Sequence, residues 1–568
     1  MDARSAPTSP SASRRLPAGT AARLEWLGVL VLLVAALLPR ARDLFSGFDR
    51  HFEGFQGSCF AIFAINYERL GVDAFHGYPV INVDLPRPED PSTWWTYPNH
   101  PPTTSVLGWL ALRAMGPEGW QDAWREARAP EGVEGPLRLP FLLASLACLL
   151  GLYWAVRSAA GVQQGLLALG FYAVLPIDAA YGTLVNYEHP SLVGVLFAYG
   201  FYARWVRGGS SRNLLGVGLG FAAATAVTYG PAFFVPPLAL HAWSRVGFRR
   251  AFRFGVAAAV GALLPLLAHA WLVGRAYDSI GAVRESLPQR VGFLMRPMFD
   301  GTMPITEWAW LQFTRMGYFF SWPLFLVAGV GLFAILKRAL ARRQAAEGDP
   351  LPIGALLCAG ALLLLLGFYR HTFDDQDPFL LNAAPAAAAL CAAAVASLAP
   401  RLWRLRAGIA PLVVVASMIA MPAVVQGNAL RRLWRAPGPA DGADASAPYV
   451  GPATPLPETA GRELAELLPP GSAGLYPKEL GFNQAVMYYA WRTLMPVTDA
   501  TGDSDTYELA HHRLKLAGME DAPHYLLLPV DPPASLRAKL ESVRAEFRAV
   551  SEPEFESESW EAYRLNPE

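Results

Sequence analysis

Four groups of residues have the types and spacing to do chemistry, and each sits beside a long apolar run. The first is Phe48-Asp49-Arg50-His51-Phe52-Glu53-Gly54-Phe55-Gln56-Gly57. Asp49 and Glu53 lie four residues apart among Phe48, Phe52 and Phe55. A carboxylate partly desolvated among aromatics holds its proton more tightly and becomes a better base. The plain alternative is a solvated loop whose acids do nothing. The second group is Asn186-Tyr187-Glu188-His189-Pro190, a Glu and a His at the mouth of two apolar runs. Asn186, or Pro190 in a helix's first turn, would account for the same residues as capping. The third is Tyr97-Pro98-Asn99-His100-Pro101-Pro102. Its prolines set a stiff, extended approach. His100 then serves as a phosphate contact or merely turns at the surface. The fourth is Tyr369-Arg370-His371, followed by Asp374, Asp375 and Asp377. Cations ending a span on the side where positive charge is disfavoured need a reason. A bound anion is one, and pairing with the aspartates is the other.

The elements that position these groups are mostly apolar. The chain has 568 residues, 53% hydrophobic and only 17% charged, against roughly 25% charged in soluble domains. Its net charge of +0 gives no bulk attraction for nucleic acid. The cysteines are Cys59, Cys148, Cys358 and Cys391; the last three fall inside apolar runs, with neither a disulfide framework nor metal-ligand spacing. A bilayer core needs roughly 20 apolar residues per helix. Eleven runs are candidates: Leu24–Leu38, Leu137–Val156, Leu166–Tyr181, Pro190–Trp205, Leu214–Tyr229, Pro231–Trp243, Phe254–Val273, Tyr318–Leu336, Ile353–Tyr369, Phe379–Leu398 and Ile409–Val425. The first has no small-residue cleavage site after it and reads as an uncleaved span. Leu214–Tyr229 and Pro231–Trp243 share the Gly230-Pro231 break and read as two short spans, one kinked helix or a re-entrant pair.

Basic clusters set the orientation, because cytoplasmic loops collect Lys and Arg. Six clusters, at Arg14/Arg15/Arg23, Arg157, Arg204/Arg207/Arg212, Arg245/Arg249/Arg250/Arg253, Lys337/Arg338/Arg342/Arg343 and Arg401/Arg404/Arg406, fall on one side if every run spans. The expectation is an α-helical polytopic membrane protein of about eleven spans. Residues 1–23 form a cytoplasmic tail and 24–427 the multi-spanning domain. Residues 41–136 make a large, aromatic-rich extracytoplasmic loop, in which Thr104–Met115 is too short to span and reads as an interfacial helix. Residues 274–317 make a second large loop, 428–457 a Pro/Gly/Ala-rich linker, and 458–568 a small extracytoplasmic α/β domain. In that domain Gly461–Leu468, Phe482–Trp491 and Ser535–Ser542 read as helices, and Gly474–Tyr476 and Tyr525–Val530 as strands.

The stretch from about 24 to 205 resembles the multi-spanning GT-C glycosyltransferases, the class of protein O-mannosyltransferases and lipid A aminoarabinose transferases. Four features carry the resemblance: Glu53-Gly54-Phe55-Gln56-Gly57 with Ala64-Ile65-Asn66-Tyr67 and Gly71 after the first span; His100-Pro101-Pro102 with a helix ending at Gly116; Arg138-Leu139-Pro140 opening the second span; and Glu188 before the fourth. The family usually has Asp, often Asp-Glu, at the first position and Lys or His before Pro-Pro. The resemblance implies transfer of a sugar from a polyprenyl phosphate, whose tail lies in the bilayer, to an extracytoplasmic acceptor, whether lipid, glycan or protein. It implies Glu53 as the first choice of base and Asp49 as the second, with Glu188 orienting the acceptor. His100, Arg370 and His371 would hold the phosphate as charge develops, and His189 and Tyr97 would complete the acceptor side. It also places the chain in the plasma (inner) membrane of a cell envelope. No cofactor is implied; a divalent ion between Glu53 and Glu188 has no support in the spacing.

Two other classes compete. A transporter would put ionisable residues or paired helix breaks near the midplane, whereas the runs are almost free of central charge and Asp178 lies towards the end of its run. A non-enzymatic assembly or scaffold protein would scatter its polar residues through the outside loops without convergence.

Overall fold

The computed structural model describes residues 18–280, 303–341, 350–402, 424–432, 456–497, 519–530, 541 and 552–565, apart from positions 75, 84–87, 95, 99, 370–371, 373–376, 478–479, 481–483 and 520 within them. Five of its helices are long and apolar enough to cross a membrane: Gly19–Arg40, Glu134–Ala160, Phe248–Arg275, Trp322–Leu340 and Pro378–Leu398. At about 1.5 Å per residue, each reaches across a core of about 30 Å. The chain is a multi-pass membrane protein with mainly helical architecture.

The membrane region is built from α1 (Ala18–Arg40), α4 (Glu134–Ala160), α5 (Val162–Ala173), the short α6 (Pro176–Ala180), α7 (Glu188–Gly208), α8 (Ser211–Thr225), α9 (Val235–Val246), α10 (Phe248–Ile280), α11 (Ile305–Phe319), α12 (Trp322–Ala341), α13 (Ile353–Gly367) and α14 (Ala384–Leu402). Between α1 and α4 lie α2 (His51–Leu70) and α3 (Thr103–Met115). Small residues allow close crossings: a Cβ at Gly331 of α12 would run into the Leu390 carbonyl oxygen of α14, and one at Gly194 of α7 would stand 2.5 Å from the Gly220 carbonyl oxygen of α8. Where lipid tails supply no hydrophobic drive, such close backbone packing is what holds helices together.

Several runs differ from the sequence expectation for local reasons. Leu166–Tyr181 is not one helix: α5 stops and Pro176 starts α6, because proline cannot continue the backbone ladder. The run from Tyr318 divides at Ser321, whose φ of +65 turns the chain, so the spanning helix begins at Trp322. The loop expected over 274–317 contains most of α11. The doubtful pair forms two helices, α8 and α9, joined by a 3-10 turn at Gly230–Phe234. Most of 409–425 lies outside the described residues.

One cluster of full charges is buried within the bundle. Arg40, at the end of α1, donates from Nε to Asp178 Oδ2 at 3.0 Å and forms a second, shorter contact through Nη2. The other carboxylate oxygen of Asp178 lies 2.8 Å from His189 Nε2. Arg40 also reaches Ser145 and the carbonyls of Ala36, Tyr172 and Ala173. The network ties α1, α4, α5, α6 and α7 together and leaves no bare charge, which is the condition for tolerating ions out of water.

The C-terminal part contains a five-stranded sheet of order β2-β1-β3-β5-β4: β1 (Ala473–Pro477), β2 (Thr493–Val497), β3 (His524–Pro529), β4 (Phe555–Glu556) and β5 (Trp560–Arg564). β1 is parallel to β2 and β3, while β5 runs antiparallel to β3 and β4. Every residue of β1 is buried, as a central strand covered on both faces requires. Helices α15 (Pro457–Leu467) and α16 (Gln484–Ala490) pack on each other where Gly461 leaves room: a Cβ there would meet Tyr489 Cβ at 2.5 Å. The helix expected at Ser535–Ser542 lies almost wholly outside the described residues.

Candidate active site

Helix α2 carries Phe55, Gln56, Cys59 and Phe63 at spacings that put them on one face. That face lines a cavity of about 240 Å³. Tyr97 and His100 enter from the long first loop, Asn186, Tyr187 and Glu188 from the turn before α7, and Thr228 from the turn after α8. Leu364 and Phe368 at the end of α13, with Phe379 and Asn382 ahead of α14, close the far wall. Segments more than a hundred residues apart in sequence thus share one chamber at one end of the bundle.

The chamber is aromatic with a few polar atoms. His100 stacks on Tyr187, ring centroids 3.9 Å apart, and lies within 7° of parallel to Tyr229 at 5.3 Å. Its Nδ1 is 3.2 Å from Thr228 Oγ1. Tyr97 stacks on Phe63 at 5.9 Å. These contacts hold the half-buried imidazole in one orientation.

Glu188 is the unusual group. It opens α7, two residues before the apolar run at Pro190, where the helix dipole and backbone N–H groups favour a negative charge. Burial outweighs them: the carboxyl is 7% exposed, and desolvation pushes its pKa up from 4.5 to about 7, with the N–H groups of Tyr187 and Glu188 opposing. Among the described residues its Oε2 has no hydrogen-bond partner, and neither does Oδ1 of Asn186, which is 5% exposed. An unsatisfied buried polar group costs about 1–3 kcal/mol. Both of these atoms belong to residues that line the chamber.

The loop ahead of α2 is clamped from both sides. Arg138 of α4 donates to the carbonyls of Asp43 at 2.7 Å, Ser46 at 2.5 Å and Gly47 at 3.2 Å, and lies over the Phe48 ring. From the C-terminal part, Tyr489 accepts the Phe48 N–H at 2.8 Å and donates to Glu134 at 3.1 Å.

The sequence-derived candidates divide as follows. Glu188, His100 and Tyr97 line the chamber together. Glu53 stands in the first turn of α2, one turn before Gln56; its side chain lies outside the described residues, as do Arg370 and His371. Asp49 lies among the tail contacts: its Oδ1 accepts the Glu458 N–H at 3.0 Å, capping α15 from a distant part of the chain, and burial raises its pKa. His189 pairs with Asp178. Sequence reasoning passed over Tyr229, Thr228 and Phe368, whose only signal is an aromatic or hydroxyl residue at the end of an apolar run. Among the described residues no group of three His, Cys, Asp or Glu side chains could hold a metal ion.

Residues 131–273 match the family model of the dolichyl-phosphate-mannose-protein mannosyltransferases. This segment includes Arg138, Asn186, Glu188 and Thr228. No curated protein matches the sequence. Among solved structures, the Archaeoglobus fulgidus oligosaccharyltransferase tethered with an acceptor peptide containing the NVT sequon superposes with a TM-score of 0.53 at 12% identity, over 89% of this chain and 69% of that one. The same organism's oligosaccharyltransferase AglB, in complex with an inhibitory peptide and a dolichol-phosphate, gives 0.52 at 12% identity, over 89% and 70%. ArnT from Cupriavidus metallidurans in the apo state covers 97% of this chain and all of its own, at 13% identity and a TM-score of 0.48. The chain has the fold of the GT-C membrane glycosyltransferases.

Proposed function

On this GT-C fold, we propose that the protein transfers a sugar from a polyprenyl-phosphate donor to an acceptor outside the cytoplasm. The observation that carries the reading is the chamber that Glu188 and His100 line together, where Glu188 keeps a desolvated carboxylate oxygen with no partner among the described residues. The archaeal structure solved with a dolichol-phosphate supports a donor of this kind. In the reaction the acceptor hydroxyl or amine attacks the anomeric carbon, the bond from that carbon to the phosphate oxygen breaks, and the polyprenyl phosphate leaves with the electron pair. The acceptor's proton goes to a carboxylate.

Two carboxylates supply that role. Glu188 has a pKa near 7, where a base is half-ready and still strong. Glu53 stands one helical turn from Gln56 of the chamber wall. His100, with Arg370 and His371, holds the leaving phosphate. Tyr97 shapes the acceptor side. Asp49 and His189 act through structure, one holding the tail and the other the bundle. The chain lies in the inner membrane with its N-terminus cytoplasmic.

Convergence of His100, Tyr97 and Glu188 in one chamber favours this reading over a scaffold, whose polar residues would be scattered. The ionic cluster buried in the bundle, Arg40–Asp178–His189, is saturated by its own members. The test is a comparison of lipid-linked sugar pools and surface glycans with and without the gene. Loss of one glycan modification, with its lipid-linked sugar accumulating, is expected. Unchanged pools and glycans would overturn the reading.

A further inference from the structure

A second cavity, of about 770 Å³, lies at the opposite end of the helix bundle. The helices it shares with the candidate active site show this. α13 offers its end, Leu364, to the first chamber and its start, Ile353 and Gly354, to the second. The turn before α9 borders the first, and the last residues of α9, His241 to Arg245, border the second. α4 contributes its last turn, Val156 to Ala160.

Among the described residues the charge of this cavity is one-signed. Arg245 and Arg338 line it with His241, Gln164 and Ser244, and no Asp or Glu does so among the described residues. Arg338 donates to Ser397 Oγ at 3.1 Å, and Arg245 makes no hydrogen bond or ion pair among the described residues. The Gly354 N–H, in the first turn of α13, has no acceptor within the helix, and no side chain caps that end. Val156, Ile335, Leu351 and Ala389 complete the wall with apolar surface. Each arginine also suits the C-terminal turn in which it stands. That explains their presence on two separate helices and not their convergence on one hollow.

We infer that this cavity binds the phosphodiester headgroup of an anionic glycerophospholipid of the surrounding bilayer, on the membrane face opposite the candidate active site. The guanidinium groups and the helix start match an oxyanion. The apolar wall matches the glycerol and first acyl carbons, which a free phosphate lacks. The position at helix ends, beside the basic turn Arg249, Arg250 and Arg253, is where anionic headgroups gather. The inference goes beyond the transfer reaction and does not depend on it.

The full-length protein, purified and reconstituted in equal phosphatidylglycerol and phosphatidylcholine, is released into native mass spectrometry and the retained lipids are counted. Wild type should keep phosphatidylglycerol in preference to phosphatidylcholine. The R245Q/R338Q variant should lose that preference, by about fivefold per arginine removed, while R249Q/R253Q, with the same charge loss outside the cavity, keeps it. Millimolar inorganic phosphate should leave retention unchanged. Equal losses in the two double variants, or undiminished retention in R245Q/R338Q, would overturn the inference. Displacement of the lipid by phosphate would assign the hollow to free phosphate and overturn the lipid claim. If R245Q/R338Q does not fold, shown by thermal unfolding in phosphatidylcholine alone, the single variants carry the test, and no loss in either contradicts it.

Discussion

Asp178 and Glu188 flank the same short turn between α6 and α7, both are buried, and they meet opposite fates. Both carboxylate oxygens of Asp178 are held: Arg40 holds one and His189 the other. Glu188 keeps one oxygen without a partner among the described residues. A fold that saturates one carboxylate so thoroughly could have saturated its neighbour. On the proposed function, the difference separates a charge that builds the bundle from a charge kept for a substrate. It also predicts that substitutions at the two sites damage different properties.

On the proposed function, the largest effect expected on catalysis is at the other candidate acid, Glu53. Glu53→Gln should lower turnover about 10²–10⁴-fold if Glu53 takes the proton, with donor binding near normal. Asp49→Asn should cost far less, because Asp49 serves α15 and an asparagine oxygen can still accept the Glu458 N–H. A dead Asp49→Asn beside an active Glu53→Gln would move the role. On the structural side of the comparison, Arg40→Met leaves Asp178 without its cation and should cost about 3–5 kcal/mol of stability, read by thermal unfolding. Unchanged unfolding would mean that the network is not what holds α1 to the bundle. If His100 holds the leaving phosphate as proposed, His100→Gln removes that contact and should raise the requirement for donor or slow transfer about 10- to 100-fold. An equal effect on an uncharged donor analogue would contradict the assignment.

The smallest effect is one of pH. Burial raises the Glu188 pKa from 4.5 to about 7, so the carboxyl is neutral below that value in the folded protein. As a proton acceptor it gains activity as pH rises through about 7. Its contribution to stability has the opposite sense: fully present below about 4.5, it is lost as pH rises through about 7, because the buried site disfavours the charge. A rate profile flat from pH 6 to 8 (a window about one pH unit either side of that value) would contradict the role.

The bundle was legible in the sequence because a bilayer imposes a composition: Leu24–Leu38 lies within α1, and Leu137–Val156 within α4. Breaks were harder, since Ser321 stops a helix through a backbone angle that its side chain does not announce. α2 was not read as an element at all, though Phe60 to Ile65 are buried in it, because it is covered by protein on all sides and shows no amphipathic period. Within the site, Glu188, His100 and Tyr97 could be found from the order of motifs. The placements of Asp49 and His189 could not, because the tail residue Glu458 and the bundle residue Asp178 that claim them are chosen by tertiary packing. Strands β2 and β5 escaped for a similar reason: Thr493–Val497 contains a proline, and Trp560–Arg564 interleaves charges.

The measurement that bears most directly on the contrast between the two carboxylates is made on one variant, Glu188→Gln, with turnover and thermal unfolding followed on the same preparation. The glutamine keeps the shape and cannot take a proton, and it relieves the buried site of a charge it disfavours. Turnover should fall at least about 100-fold while the unfolding temperature stays level or rises. Near-normal turnover, or a loss of activity matched by a fall in unfolding temperature, would contradict the claim that the fold keeps Glu188 for the reaction.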